Sequence, residues 1–253
     1  MSISIRDFFT PVDLDPGTTS LDYGKVQSYI RFAETLSKLD FHSVYLIDYY
    51  RRSFLYVSEN PLFLCGKSAK QVLRLGYQFY FKNVPEEDLE LLLKINEAGF
   101  KFYNDLALAE RFDYTISYDF RLKQPSGHLL LINHKLSPLA LDEQGNMWIA
   151  LCMVSPSSND KPGNITITNY PEKRIFEYDL DTASWNEQEA VKLNRQERQI
   201  LLLSIRGLTV EKIAKELFLA ADTIKFHRKN LLKKLKANNI SEAIFIAANY
   251  RLI

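Results

Sequence analysis

The sequence predicts an α+β chain: a five-stranded antiparallel sheet with flanking helices, then an all-α domain of four helices. Three observations carry this. Strand-length apolar runs separated by turn residues fill the stretch between residues 41 and 155. From Asn194 onward the apolar spacing is helical and the helices are punctuated by capping residues. The charge also changes sign: Trp185 to Ile253 holds 13 Lys+Arg and 7 Asp+Glu, a net of +6, leaving 19 basic and 24 acidic residues before it, a net of −5. A basic tail on an acidic body points to a polyanionic partner for the tail.

The elements follow in order. Residues 1–40 read as a loose N-terminal arm and a helix. Met1 to Asp22 has no clear period and carries Pro11, Pro16 and Gly17; Tyr23 to Asp40 sets Val26, Tyr29, Ile30, Ala33 and Leu36 at helical spacing. Residues 41–155 form the sheet domain. Ser43 to Tyr50 and Phe54 to Val57 are strands joined near Arg51-Arg52-Ser53; Asn60 to Val84 is short-helical. Pro85 to Tyr103 is one helix whose acidic start, Glu86, Glu87 and Asp88, suits a positive helix N-terminus and an exposed position. Phe112 to Leu122, Leu129 to Ser137 and Met147 to Val154 form a three-strand meander. Residues 156–188 read as a linker with an extra strand or hairpin, since Pro156 to Gly163 is rich in Ser, Asn, Pro and Gly, and Asp181 to Asn186 is a second joint. Residues 189–253 are the helical domain.

Several classes are excluded. Apolar runs such as Trp148 to Val154 are strand-sized, far short of the roughly 18 residues that span a bilayer, so no membrane partner is expected. Two distant cysteines, Cys65 and Cys152, exclude a disulfide framework and a zinc knuckle and fit a reducing, cytoplasmic location. There is no Gly-rich phosphate loop, no nucleophile elbow and no His/Cys pair at ligand spacing, so no catalytic residue, no metal site and no enzyme are expected.

In the helical domain Asn194 caps the first helix with Glu197 completing a capping box, Gly207 ends it, and Thr209 caps a second, short helix. A third runs from Ala221 to about Lys236, and Ser241 caps a fourth, Glu242 to Tyr250. At about 100° per residue, with Lys225 as zero, Arg228, Lys229, Lys233 and Lys236 fall between about −60° and +80°, while Ile224, His227, Leu231 and Leu235 gather elsewhere. Such a basic helix, following a short helix across a tight turn, suits a major groove. A solvated Lys-rich face is the bland reading of the same stripe.

The spacing of Leu193, Glu197, Gly207-Leu208-Thr209, Ile213-Ala214, Leu217, Thr223-Ile224-Lys225, His227, Asn230, Lys234-Leu235 and Glu242-Ala243 resembles the LuxR/GerE helix-turn-helix family, over about a quarter of the chain. The resemblance implies DNA contacts from Thr223, Lys225, Phe226, Arg228, Lys229, Lys233 and Lys234. Thr223 and Lys234 match positions that meet phosphate or support packing. It implies a homodimer contact from Ala243, Ile246, Ala247 and Tyr250, for which packing inside the domain is the alternative. Double-stranded DNA, a second copy and RNA polymerase are the implied partners. Three departures stand out: Asn194 and Gln196 replace the usual Thr and Arg, Ala220 replaces the usual hydroxyl cap of the recognition helix, and Ile240 replaces a frequent Arg.

Phe41 to Ser155 resembles a PAS domain through Tyr56-Val57-Ser58-Glu59-Asn60-Pro61, Gly66-Lys67-Ser68, Val84-Pro85-Glu86-Glu87-Asp88-Leu89, and the turns at Ser126-Gly127 and Glu143-Gln144-Gly145-Asn146. Another five-stranded α/β sensor module of the same shape is the alternative. PAS domains bind a small ligand or cofactor, or only set dimer geometry, and both remain open; the cofactor is unknown. Cys65 lacks the Asn-Cys-Arg-like run of a flavin site, and His42, His128 and His134 are isolated. Phe79, Tyr80, Phe81, Phe100, Phe102 and Tyr103 suit either a pocket or a core. The expected function is sequence-specific transcription regulation; the alternative is a protein-interaction adaptor whose helical tail docks a protein.

Overall fold

The structure is a computed structural model that describes residues 3–9, 21–189, 191–250 and 252–253. The part of the expected arm with Pro11, Pro16 and Gly17 lies outside the described residues. The chain divides into two units, Met1–Gln188 and Glu189–Ile253.

The first unit is built on one antiparallel sheet. Its strands are β1 (Ser43–Asp48), β2 (Ser53–Val57), β3 (Tyr114–Lys123), β4 (Leu129–Leu141), β5 (Met147–Pro156), β6 (Gly163–Asn169), β7 (Arg174–Asp179) and β8 (Ser184–Gln188), in the order β2-β1-β5-β4-β3-β6-β7-β8. The first five strands in that order are the PAS-like sheet. Strand β1 is buried throughout because both its faces are covered. Val44 and Leu46 pack with Ala33 and Val26 of helix α1 (Val26–Leu39), whereas Tyr45 and Ile47 belong to the main core. The helices over that core are α2 (Pro61–Leu64), α3 (Ala69–Leu75), α4 (Gln78–Asn83) and α5 (Glu86–Asn104). Local chemistry sets their starts: Asn60 caps α2 with Pro61 in its first turn, and Ser68 with Gln71 makes a capping box for α3.

The structure corrects three expectations. The sheet has eight described strands, because the segment read as a linker with an extra strand or hairpin carries β6, β7 and β8. Its Ser/Asn/Pro/Gly stretch is a corner inside the unit. Asn133, Asn159 and Asn164 each donate a side-chain amide to the buried Asp119 carboxylate, at 2.8, 2.6 and 2.8 Å. Beyond the corner, Ile165 and Ile167 enter the core. Second, the start of the arm is docked: Phe8 and Phe9 in a 3-10 turn, Ile5–Phe9, are buried against Tyr77, Tyr80 and Tyr49. Third, the acidic start of α5 is not simply exposed. Asp88 is 2% exposed and accepts from the Arg121 backbone N–H at 2.7 Å and its Nε at 3.0 Å, with Glu87 also on the guanidinium. This clamp fixes α5 to β3.

The second unit is all-α: α6 (Arg195–Ile205), α7 (Val210–Leu217), α8 (Ala221–Lys234) and α9 (Ile240–Asn249). Gly207 takes φ +74°, the left-handed conformation that ends α6. Asn194, Thr209 and Asn239 cap α6, α7 and α9 with their side chains. The cap of α9 is thus Asn239 and not Ser241, so the helix starts two residues early.

Candidate nucleic-acid interface

Helices α7 and α8 are joined by Phe218-Leu219-Ala220, with Phe218 in the left-handed region at φ +55°. The pair is seated by Ile200 and Leu203 of α6, Ile213 and Ala214 of α7, and Ile224 of α8 in one apolar cluster. A second cluster, Leu201, Leu231, Leu235, Ala243 and Ala247, seats the far end of α8 against α6 and α9. Ile224 and Leu231 are fully buried, and two turns of helix separate them, so the rotation of α8 about its axis is fixed.

The opposite side of α8 is open. Lys225, Phe226, Lys229 and Lys233 are exposed, and Thr223 and Arg228 are half-buried. Phe226 is 60% exposed, with His227 as a ring neighbour at 5.7 Å. Lys225 Nζ lies 3.0 Å from Asp222 in the first turn, and this hydrogen bond raises the lysine pKa, so the cation persists at neutral pH. No side-chain cap serves Ala220, as its missing hydroxyl implies.

Lys234 has a partner within the unit. Its Nζ lies 2.8 Å from the carboxylate of Glu197, which is 1% exposed, and 3.5 Å from the Lys192 carbonyl. The same carboxylate accepts from the Asn194 N–H at 2.8 Å, and Asn194 Oδ1 accepts from the Glu197 N–H at 2.8 Å. Lys234 therefore neutralises a buried capping box and ties the end of α8 to the start of α6. These contacts fit packing support, one of the two roles implied for it, and its side chain stays partly exposed.

The expected dimer residues also divide. Ala243 and Ala247 are fully buried within the unit against Leu201, Leu231 and Leu235, so as partner contacts they are corrected. Ile246 packs at the margin of that cluster and Tyr250 is exposed. Phe218, 95% exposed, was not singled out from the sequence. The available signal was a large apolar residue right after Leu217 where a left-handed cap without glycine was needed.

In the first unit Cys65 is a small buried residue, its thiol pushed up to about 11 by burial. His134 lies in β4, fully buried, with its pKa lowered to about 3 by burial and Nε2 2.5 Å from the Tyr45 hydroxyl. His42 and His128 sit in a bend and an exposed turn. Among the described residues no cluster of His, Cys, Asp or Glu is arranged to hold a metal, and no described helix is long and apolar enough to cross a membrane.

Residues 191–247 match the family described as bacterial regulatory proteins, luxR family (GerE). The second unit is a luxR-family domain. The chain is 25% identical over 170 residues to the transcriptional activator protein ExpR of Dickeya dadantii (strain 3937). That alignment takes in 66% of this chain and 63% of ExpR, so the chain spans less than two thirds of this relative's length. Among solved structures, the VqmA dimer of Vibrio cholerae without target DNA is similar at 14% identity and TM-score 0.29, over 90% of this chain and 88% of VqmA. A PAS domain from Colwellia psychrerythraea is similar at 14% identity and TM-score 0.36, over 52% of this chain and 96% of that domain. The luxR-family domain thus starts within three residues of the break between units, and the PAS-like sheet lies wholly before it.

Proposed function

We propose that this chain is a sequence-specific, DNA-binding transcription regulator whose PAS-like unit receives a signal or sets dimer geometry. The observation that carries the reading is the division of α8: Ile224 and Leu231 are locked in the core while Lys225, Phe226, Lys229 and Lys233 project outward in a luxR-family domain. In this reading Lys225 and Lys229 reach base edges, Phe226 meets a thymine methyl or the sugar wall, and Thr223, Arg228 and Lys233 meet phosphates. Two copies place α8 in successive major grooves about 10 bp apart. RNA polymerase is the further protein partner, the location is cytoplasmic, and the chain carries no catalysis of its own.

Site selection from a random duplex library tests this, run with the full chain and with a Lys225→Ala/Lys229→Ala variant. An enriched two-fold-related site, lost by the variant, is the expected result. Affinity for that site falls by about 0.9 log units per log unit of salt for each phosphate neutralised. A second reading, an adaptor whose helical unit docks a protein, draws on the exposed Leu202, Ile205 and Phe218. It predicts no enrichment at any salt concentration and partner binding indifferent to the double variant.

A further inference from the structure

Helix α8 carries a single acid, and it stands on the side that the lysines hold. Asp222 lies in the first turn. At about 100° per residue, with Lys225 as zero, it falls near +60°, between Lys229 at about +40° and Lys233 at about +80°. Ile224 and Leu231 fix the rotation of the helix, so Asp222 faces whatever the lysines meet. Its side chain is 90% exposed.

An acid on a phosphate-binding surface works against affinity, because it repels the backbone that the lysines attract. A favourable place at the positive end of a helix is the simplest use for it. Asp222 is engaged beyond that, since its Oδ1 accepts from Lys225 Nζ at 3.0 Å. An acceptor and a donor thus stand side by side at the start of the helix, and residues at the start of a recognition helix are the ones that reach base edges.

The spacing of this pair matches a feature of one base pair. In a C·G pair the cytosine N4 and guanine O6 are joined by a hydrogen bond of about 2.9 Å, and each keeps a hydrogen or a lone pair for the major groove. A carboxylate and an ammonium 3.0 Å apart offer the complementary acceptor and donor at the same separation. The carboxylate takes the free N4 hydrogen, and the ammonium donates to O6. Adenine N6 and thymine O4 present the same two groups. Guanine, however, places N7 beside O6 as a second acceptor for the ammonium, where thymine places its methyl group.

We propose that Asp222 and Lys225 together read one C·G pair in each half-site, Asp222 accepting from the cytosine N4. The proposal rests on the DNA-binding function above and names one position of the sequence that this function reads.

The test takes the site selected by the full chain and compares wild type with Asp222→Ala on it. The wild type is expected to require C·G at one position of each half-site and to lose about tenfold or more in affinity when that pair is changed. Asp222→Ala should lose less than about threefold on the same change and should discriminate as before at every other position. Its affinity for non-cognate duplex should be no lower than that of the wild type, the opposite of a lysine variant. A second measurement separates a base contact from help given to Lys225. A duplex with 2-pyrimidinone in place of the cytosine lacks only the exocyclic amino group. It should weaken wild-type binding at least about fivefold more than binding of Asp222→Ala. Equal weakening of the two proteins overturns the contact. So does a variant that keeps every wild-type preference, or one that loses preference evenly along the site. An enriched site with no C·G position sensitive to Asp222 overturns this proposal alone, whereas no enriched site for the wild type overturns the DNA-binding reading and the proposal with it.

Discussion

Lys225, Lys229 and Lys234 are three lysines of one helix, yet their surroundings give them different work. Lys234 faces a carboxylate that is out of water and already shared with a backbone N–H. Removing the lysine leaves a buried charge short of its partner, whereas removing an exposed lysine leaves only solvent. Lys234 is itself partly exposed, which screens the pair, so Lys234→Ala should destabilise the second unit by about 1–2 kcal/mol. The loss should appear as faster amide exchange in α6 and α8 of the full chain. Lys225→Ala and Lys229→Ala should leave that exchange unchanged and instead lower affinity for the selected site, by about 1–3 kcal/mol where a base contact is lost. Unchanged exchange in Lys234→Ala would mean that the capping box stands without the lysine. The helical period alone could not separate these residues. Lys234 stands out only through Glu197, 37 residues away, a contact that sequence spacing does not display.

At the scale of elements, the weakest start in the second unit is that of α8. Helices α6, α7 and α9 each begin on a side chain that accepts a backbone N–H, and α8 begins on Ala220, which has none to offer. Ala220 already has the extended backbone of a cap, φ −70° and ψ 147°, so Ala220→Ser needs no rearrangement. It should stabilise the first turn of α8 by about 1 kcal/mol, read as slower exchange of the amides from residue 222 to 224. If the serine leaves those amides as fast as before, the first turn is held by Ile224 in the core and not by its cap. This cap was legible in the sequence, as were the four helices and the five strands between residues 41 and 155, because capping chemistry and apolar period are local. The extension by β6, β7 and β8 was less so. In β6 the alternation of Ile165 and Ile167 is visible, but β8 reads Ser-Trp-Asn-Glu-Gln, with one large apolar side chain to declare a face. Its partners, β7 and the Phe102 ring, come from other parts of the chain. The reading of Ala243 and Ala247 as dimer contacts has the same origin: an apolar stripe on α9 declares that something covers it, and Leu201 and Leu231 of the same unit do so for these two.

For the molecule as a whole, the first unit carries a built-in response to acid. His134 stands in the middle of β4 among Tyr45, Tyr118 and Phe120, fully enclosed, and burial lowers its pKa from 6.5 to about 3. In the unfolded chain the same imidazole takes up its proton near 6.5. Between the two values the unfolded state holds one proton more than the folded state, so stability rises with pH across that window and is lost on acidification, by up to about 1.4 kcal/mol per pH unit. Above 6.5 the contribution is constant. Carboxylates held below their ordinary range, such as Asp142 with its bonds from Tyr50 and Asn146, also lose stabilisation in acid, but only at and below the usual carboxylate range. Burial raises the Asp48 and Asp119 carboxyls above their ordinary range, so their proton uptake in the folded state works against this loss, and the histidine's share is read between about pH 6 and 4.5 as a difference from a variant that cannot titrate. Urea unfolding of the first unit, followed by its tyrosine and tryptophan signals in the full chain, should show a midpoint that falls steadily through this interval. His134→Gln keeps a neutral acceptor opposite the Tyr45 hydroxyl and cannot titrate, so its slope should be shallower by close to one proton. Equal slopes in the two proteins would mean that His134 gains its proton in the folded state as readily as in the unfolded one, and that the core around Tyr45 admits water.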